Sequence, residues 1–231
     1  MKLINTSLLA GFLGIVGTAS GSSYVIDNFS CTDSVTQAGV GSTSSTISCP
    51  GSLGGERSDV IFLPSGSGDA VSTIESNPPA GEITGTIGSG LSGGDVMTWF
   101  GSTTAGDYNL PNLDLNGDSV LVQIKSDVGG TLTVTLGSSS TASGNRDDYS
   151  ATFLASPSFV DILIPLTNPT IIGTGANVDD VTAIGLVINV AGGGNWTINE
   201  VEAVPEPSTL LLTGLCFLGV LTRSFWLRSP R

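Results

Sequence analysis

The chain has 231 residues, with seven lysines and arginines, 20 aspartates and glutamates, no histidine, and a net charge of −13. The missing histidine excludes Ser-His-Asp and Cys-His nucleophilic relays, the ordinary neutral-pH general base and the commonest transition-metal ligand. The acidity sets the surface against nucleic acid and anionic lipid.

The first segment is short. Lys2 precedes an apolar run from Leu3 to Val16, and Gly17-Thr18-Ala19 places small residues where a signal peptidase reads them. This predicts a cleaved secretory signal over residues 1–19, since the apolar run is too short for a membrane span. Residues 20–203 then form one exported domain, long enough to bury a sizeable core. Within it 19 acidic side chains face only Arg57, Lys125 and Arg146, a net charge of −16.

Cys31 and Cys49 are the two cysteines of this exported segment. In an oxidising compartment they are expected to pair, closing a loop worth about 3 kcal/mol in chain entropy. Two cysteines without histidine make a poor zinc site.

From Tyr24 onward the segment alternates like a β protein. Strands are predicted at Tyr24–Phe29, Asp59–Leu63, Val71–Ser76, Glu82–Ile87, Asp95–Phe100, Ser119–Ser126, Thr131–Leu136, Tyr149–Ala155, Phe159–Leu166, Val181–Val190 and Asn195–Glu202. Val120, Val122 and Ile124 share one face of their strand, and Leu132, Val134 and Leu136 share one face of theirs. The turn residues Asp127-Val128-Gly129-Gly130 between these two predict a hairpin. Many short strands, Gly/Ser/Asn turns and no long helical period predict an all-β, antiparallel β-sandwich of jelly-roll topology.

Three groups of residues within this domain bear on function. Asp114, Asn116 and Asp118 in the run Asp-Leu-Asn-Gly-Asp place oxygens at alternate positions and are candidate calcium ligands. The competing reading is turn chemistry, and no Glu stands where an EF-hand loop closes. Trp99, Tyr108 and Trp196 are candidate platforms for stacking against a sugar, with core packing as the competing reading. No catalytic residue is assigned: glycoside hydrolysis needs two facing carboxylates, and the sequence singles out no pair.

The last 28 residues are the most telling. Pro205 and Pro207 hold Val204-Pro205-Glu206-Pro207 extended, and Ser208 is a suitable N-cap for a helix beginning at Thr209. Residues 209–227 carry no charge except Arg223. As a helix they would span about 28 Å, close to the thickness of a bilayer's hydrocarbon. Arg223, Arg228 and Arg231 make the far end positive, which places it in the cytoplasm and everything before Val204 outside. Hydropathy alone fits a permanent type I anchor equally well. The order Pro-Glu-Pro, apolar span, arginines resembles the PEP-CTERM sorting signal of exported bacterial proteins. That resemblance implies an exosortase-type processing enzyme as partner, with Pro205, Glu206 and Pro207 flanked by Val204 and Ser208 as the sorting motif. It also implies a transient inner-membrane intermediate, removal of the tail, and delivery to the cell surface or an exopolysaccharide matrix.

The domain itself resembles exported galactose-binding-like, carbohydrate-binding sandwiches through "IDNFS", "GGERSDVIF" and the closing "VDDVTAIGLVINVAGGGNWTINEVEAVPEPS". This implies a last strand, near Trp196–Val201, returning beside the first. It also implies a sugar-binding module as the rival to a purely structural role.

Overall fold

A computed structural model of the chain describes residues 23–67, 70–77, 80–101, 110, 113–137, 145–190 and 192–206. The expected signal peptide (1–19), Tyr108, Pro207, Ser208 and the expected span with Arg223, Arg228 and Arg231 lie outside the described residues. Contacts divide the chain into Ser23–Val204 and a second unit made of both terminal segments, of which only Pro205 and Glu206 are described.

Ser23–Val204 is an antiparallel β-sandwich of jelly-roll type. Its strands are β1 (Tyr24–Asp27), β2 (Asp33–Ala38), β3 (Gly41–Ser48), β4 (Glu56–Gly66), β5 (Val71–Asn77), β6 (Glu82–Thr86), β7 (Leu91–Phe100), β8 (Asp118–Ser126), β9 (Gly130–Gly137), β10 (Arg146–Phe153), β11 (Ser156–Pro165), β12 (Thr170–Ile172), β13 (Ala183–Val190) and β14 (Asn195–Pro205). One sheet runs β11-β8-β14-β6-β5-β2, with β1 added against β14. The other runs β12-β10-β9-β13-β7-β4-β3.

Alternation places the core between the sheets. Val120, Val122 and Ile124 of β8 meet Leu132, Val134 and Leu136 of β9 and Ile184, Leu186 and Ile188 of β13 in one fully buried cluster. The expected hairpin between β8 and β9 does not form. The two strands lie in opposite sheets, β8 beside β11 and β14, β9 beside β10 and β13. Each carries a complete apolar face, so stacking them face to face across the sandwich buries both, whereas side by side each would still need a cover. The connection at Asp127–Gly129 is therefore a corner, held where Asp127 accepts from the Asn195 backbone N–H at 2.7 Å.

Three strands have no counterpart among those expected. β2 and β3 are rich in Ser and Thr and sit at the sheet edges, where half of each strand stays wet and no apolar period is needed. β12 has three residues, all exposed. The expected return of the last strand to the first is present, with Tyr24 opposite Ala203 and Val25 opposite Glu202. A bulge in the β4–β7 pairing depends on Gly93 (φ +156°), where a Cβ would sit 2.0 Å from the Phe62 carbonyl oxygen.

Candidate functional site

The sequence brings an unusual density of charge into the interior. Arg57 and Asp59 alternate inward along β4, Asp95 and Trp99 along β7, and Asp27 closes β1; all five are fully buried. Asp27 Oδ1 accepts from the Phe29 backbone N–H at 2.7 Å, which fixes the turn where Phe29 adopts φ +53°. Asp27 Oδ2 accepts from Arg57 Nη1 at 3.0 Å and from Trp99 Nε1 at 2.8 Å. Arg57 Nε donates to Asp59 Oδ2 at 3.0 Å, and Nη2 donates to Ser76 Oγ at 3.0 Å. Ser76 Oγ in turn donates to the Cys31 carbonyl at 2.6 Å. The network therefore ties β1, β4, β5 and β7 to the disulfide, which joins Cys31 to Cys49.

One arginine cannot neutralise all these acids. Asp59 Oδ1, Asp95 Oδ1 and Asp33 Oδ2 are buried acceptors that no N–H reaches, so only a proton held on one of the carboxyls can join Asp59 to Asp33. Burial pushes the Asp59 carboxyl up to about 7, with Arg57 opposing the rise and Asp33 adding to it through a hydrogen bond and its charge. Burial likewise pushes Asp95 up to about 7, opposed by the hydrogen bond from Trp196 Nε1 at 2.8 Å and reinforced by Asp59. Arg57 remains charged because Asp59 and Asp27 outweigh the burial that would discharge it. Cluster members with no exposed surface cannot meet a dissolved ligand, so this network closes the fold and offers no binding site.

The same geometry reassigns the aromatic residues. Trp99 is 0% exposed and Trp196 is 1% exposed, so neither presents a face to a sugar. Each indole is packed in the core and spends its N–H on a buried carboxyl. Their isolated N–H donors and the inward acids are the physical signal, but the pairing of Trp99 with Asp27 and of Trp196 with Asp95 is not visible in sequence spacing.

The Asp114–Asp118 stretch is a turn. Asn116 N–H donates to Asp114 Oδ1 at 2.9 Å, Asp118 N–H donates to the Leu115 carbonyl at 3.1 Å, and Gly117 takes φ +76°. Among the described residues no three His, Cys, Asp or Glu side chains are gathered as metal ligands.

A groove of about 610 Å³ lies on the outer face of the second sheet, across β4, β7, β13, β9 and β10. Pairing registers set its rows. Asp148, Thr135, Gly185, Thr98 and Ser58 form one row, and Ser150, Thr133, Val187, Val96 and Val60 form the next. The valine row is the apolar floor, and hydroxyls continue it at one end. Gly185 leaves a trough between Thr98 and Thr135, where a Cβ would meet the Thr135 Cβ at 3.4 Å. Thr135 Oγ1 donates to Asp148 Oδ1 at 2.9 Å, and Arg146 Nε lies 3.3 Å from the same oxygen. Phe62 stands beside the floor with 52% exposure. The threonine alternation of β9 was visible in the sequence; its assembly with four other strands was not.

β14 carries the chain out of the domain. Val201 and Ala203 are buried, and Val204, Pro205 and Glu206 are half-buried. Pro205 is still part of the strand. Val204, Pro205 and Glu206 are the described part of the expected sorting motif.

No curated protein matches the chain. Among solved structures, it is similar to a family 11 carbohydrate-binding module from Clostridium thermocellum in complex with a β-1,3-1,4-mixed-linked tetrasaccharide (14% identity, 79% of this chain and 95% of that one, TM-score 0.42). It is also similar to a family 29 carbohydrate-binding module complexed with cellulohexaose (11% identity, 80% of this chain and 92% of that one, TM-score 0.40). Residues 203–228 match the PEP-CTERM protein-sorting motif. The chain therefore carries a PEP-CTERM protein-sorting motif over residues 203–228.

Proposed function

We propose that this chain is a non-catalytic surface or matrix protein whose tail is a temporary membrane tether removed by an exosortase-type enzyme. A secretory signal over residues 1–19 starts export, the sandwich folds outside the cytoplasm, and residues 209–227 hold it in the inner membrane until processing. The carrying observation is the sorting motif at residues 203–228, which begins within the last two residues of a folded unit that ends at Val204. The absence of histidine supports a non-catalytic reading, as does the sequestration of Asp59 and Asp95, both 0% exposed. The test is fractionation of cells expressing the full chain or its P205A/P207A variant. The native chain is expected on the surface or in the medium and the variant in the inner membrane. Equal retention of both would leave a permanent type I anchor as the better account.

A second reading is favoured by the outer groove: this face binds a neutral polysaccharide. A sugar ring presents an apolar C–H face and a rim of hydroxyls, and the valine floor with Phe62 and the surrounding Thr, Asp and Arg groups offers the complement of both. Glycan-array binding of the exported protein tests it. Gly185→Leu, which fills the trough, is expected to abolish binding while the circular dichroism spectrum is unchanged. Binding that survives in this variant would exclude the groove.

A further inference from the structure

We propose that β3 is an interaction edge, and that its partner is the β3 strand of a second copy of this chain. The two copies pair antiparallel across a two-fold axis and join their second sheets into one.

Among the described residues the two sheets end in four edge strands, β11, β2, β12 and β3. Three of them are closed by their own sequence. β11 has prolines at 157 and 165, an irregular stretch between Ser156 and Val160, and Asp161 in its middle. β12 is three residues long. On β2 the Gly39 N–H donates to the Ala70 carbonyl at 3.0 Å, so alternation points the backbone groups of Ser34 and Ala38 away from the sheet. The Ser34 N–H is taken by Asp33 Oδ1 at 2.8 Å, and the Ala38 carbonyl by Gln37 Nε2 at 2.9 Å. β3 has none of these devices. Its eight residues, Gly41–Ser48, include no charge and no proline, and among the described residues it pairs with β4 alone.

The hydrogen-bond phase says which groups are open. Cys49 N–H donates to the Gly55 carbonyl at 2.7 Å, one step beyond the Ser48↔Glu56 pair. Alternation then binds Thr43, Ser45 and Ile47 to β4 and points the N–H and C=O of Ser42, Ser44, Thr46 and Ser48 away from the sheet. The same four residues are exposed. The strand is held at both ends: Cys49 follows it into the disulfide with Cys31, and Thr43 Oγ1 donates to Gln37 Oε1. Little order has to be gained on pairing, which favours association.

Charge and geometry select the occupant. An open edge is completed by another extended strand, and the open strand this chain offers is β3 itself. The exported segment sets 19 acids against Arg57, Lys125 and Arg146, so contact between copies elsewhere brings like charges together, whereas β3 brings none. A two-fold at Ser45 sets Ser42 opposite Ser48 of the second copy and Ser44 opposite its Thr46. Each open N–H then meets an open C=O, with hydroxyl beside hydroxyl on the outer face. Two identical strands related this way leave no β3 edge free, so assembly stops at a dimer. The outer grooves of the two copies lie on the same face of one continuous sheet.

The test is sedimentation and residue-resolved amide hydrogen exchange of the full chain in detergent micelles at rising protein concentration. On association the amides of Ser42, Ser44, Thr46 and Ser48 are expected to slow, while those of Thr43, Ser45 and Ile47 are slow throughout. Added salt should strengthen association, because it screens the repulsion between two acidic domains. Thr46→Pro removes an N–H that β4 does not use, at an edge position where proline is tolerated. Two hydrogen bonds are lost across the two-fold, so the dissociation constant is expected to rise roughly 30-fold with the far-ultraviolet spectrum unchanged. Dimers of native strength in this variant, as association through the tail alone would give, would overturn the proposal. So would a native chain that stays monomeric, or one whose four amides are already slow at the lowest concentration, since its edge is then covered by something other than a second copy. If the proline unfolds the chain, the native exchange pattern decides: a dimer in which those four amides stay fast refutes pairing through β3.

Discussion

Raising the pH should weaken this domain, because its core holds protons. Asp59 and Asp95 are fully buried, and each carboxyl is pushed from 3.8 up to about 7. In the unfolded chain both ionise near their ordinary value, so between about pH 4 and pH 7 the folded state binds more protons than the unfolded state, and stability falls as pH rises. The contribution is fully present below the unfolded pKa and is gone once the pH has passed the folded one. Each carboxyl held about three units up corresponds to roughly 4 kcal/mol. The two acids interact, so together they contribute less than twice that. Against a typical total of about 5–15 kcal/mol this is a large share, and it corresponds to a melting-temperature change on the order of 10 °C for a domain of this size. The assay is thermal unfolding followed by near-ultraviolet circular dichroism, in which Trp99 and Trp196 report the core. Surface carboxylates also respond to pH, and Asp59→Asn separates the two. The amide can still accept from Arg57 and can donate to Asp33 Oδ2, mimicking the protonated form. The variant should show about half the native slope and should exceed the native protein in stability above pH 7. A native profile that is flat or rises from pH 4 to pH 7, or an Asp59→Asn profile as steep as the native one, would refute the reasoning.

Arg57→Met should cost about 3–5 kcal/mol in denaturant unfolding, because Asp27 and Asp59 lose their buried cation. Reducing the Cys31–Cys49 bond, or replacing both cysteines with serine, should lower stability by about 2–4 kcal/mol without changing the far-ultraviolet spectrum of the remaining fold. Gly85→Ala should destabilise by about 1–3 kcal/mol, since the new Cβ would lie 2.2 Å from the Trp196 ring; no loss in chemical denaturation would mean that this indole packs elsewhere.

The sorting motif and the β character of the chain's middle were readable because they depend on local chemistry. The Pro-Glu-Pro, the apolar run and the arginines are matched as a sorting motif from their linear order alone. Alternation such as Val120, Val122 and Ile124 reveals which side of a strand is apolar. Alternation does not say what that side faces. Only the tertiary structure decided that β8 and β9 oppose each other across the sandwich and are not neighbours, because both arrangements satisfy the same local pattern. Trp99 and Trp196 show the same limit. An aromatic on a strand is more often core than a sugar platform, and here the core is secured by Asp27 and Asp95, which lie 72 and 101 residues away and accept the indole N–H bonds. Burial and partnership across such separations arise from packing, and a linear pattern records only which side chains are available for it.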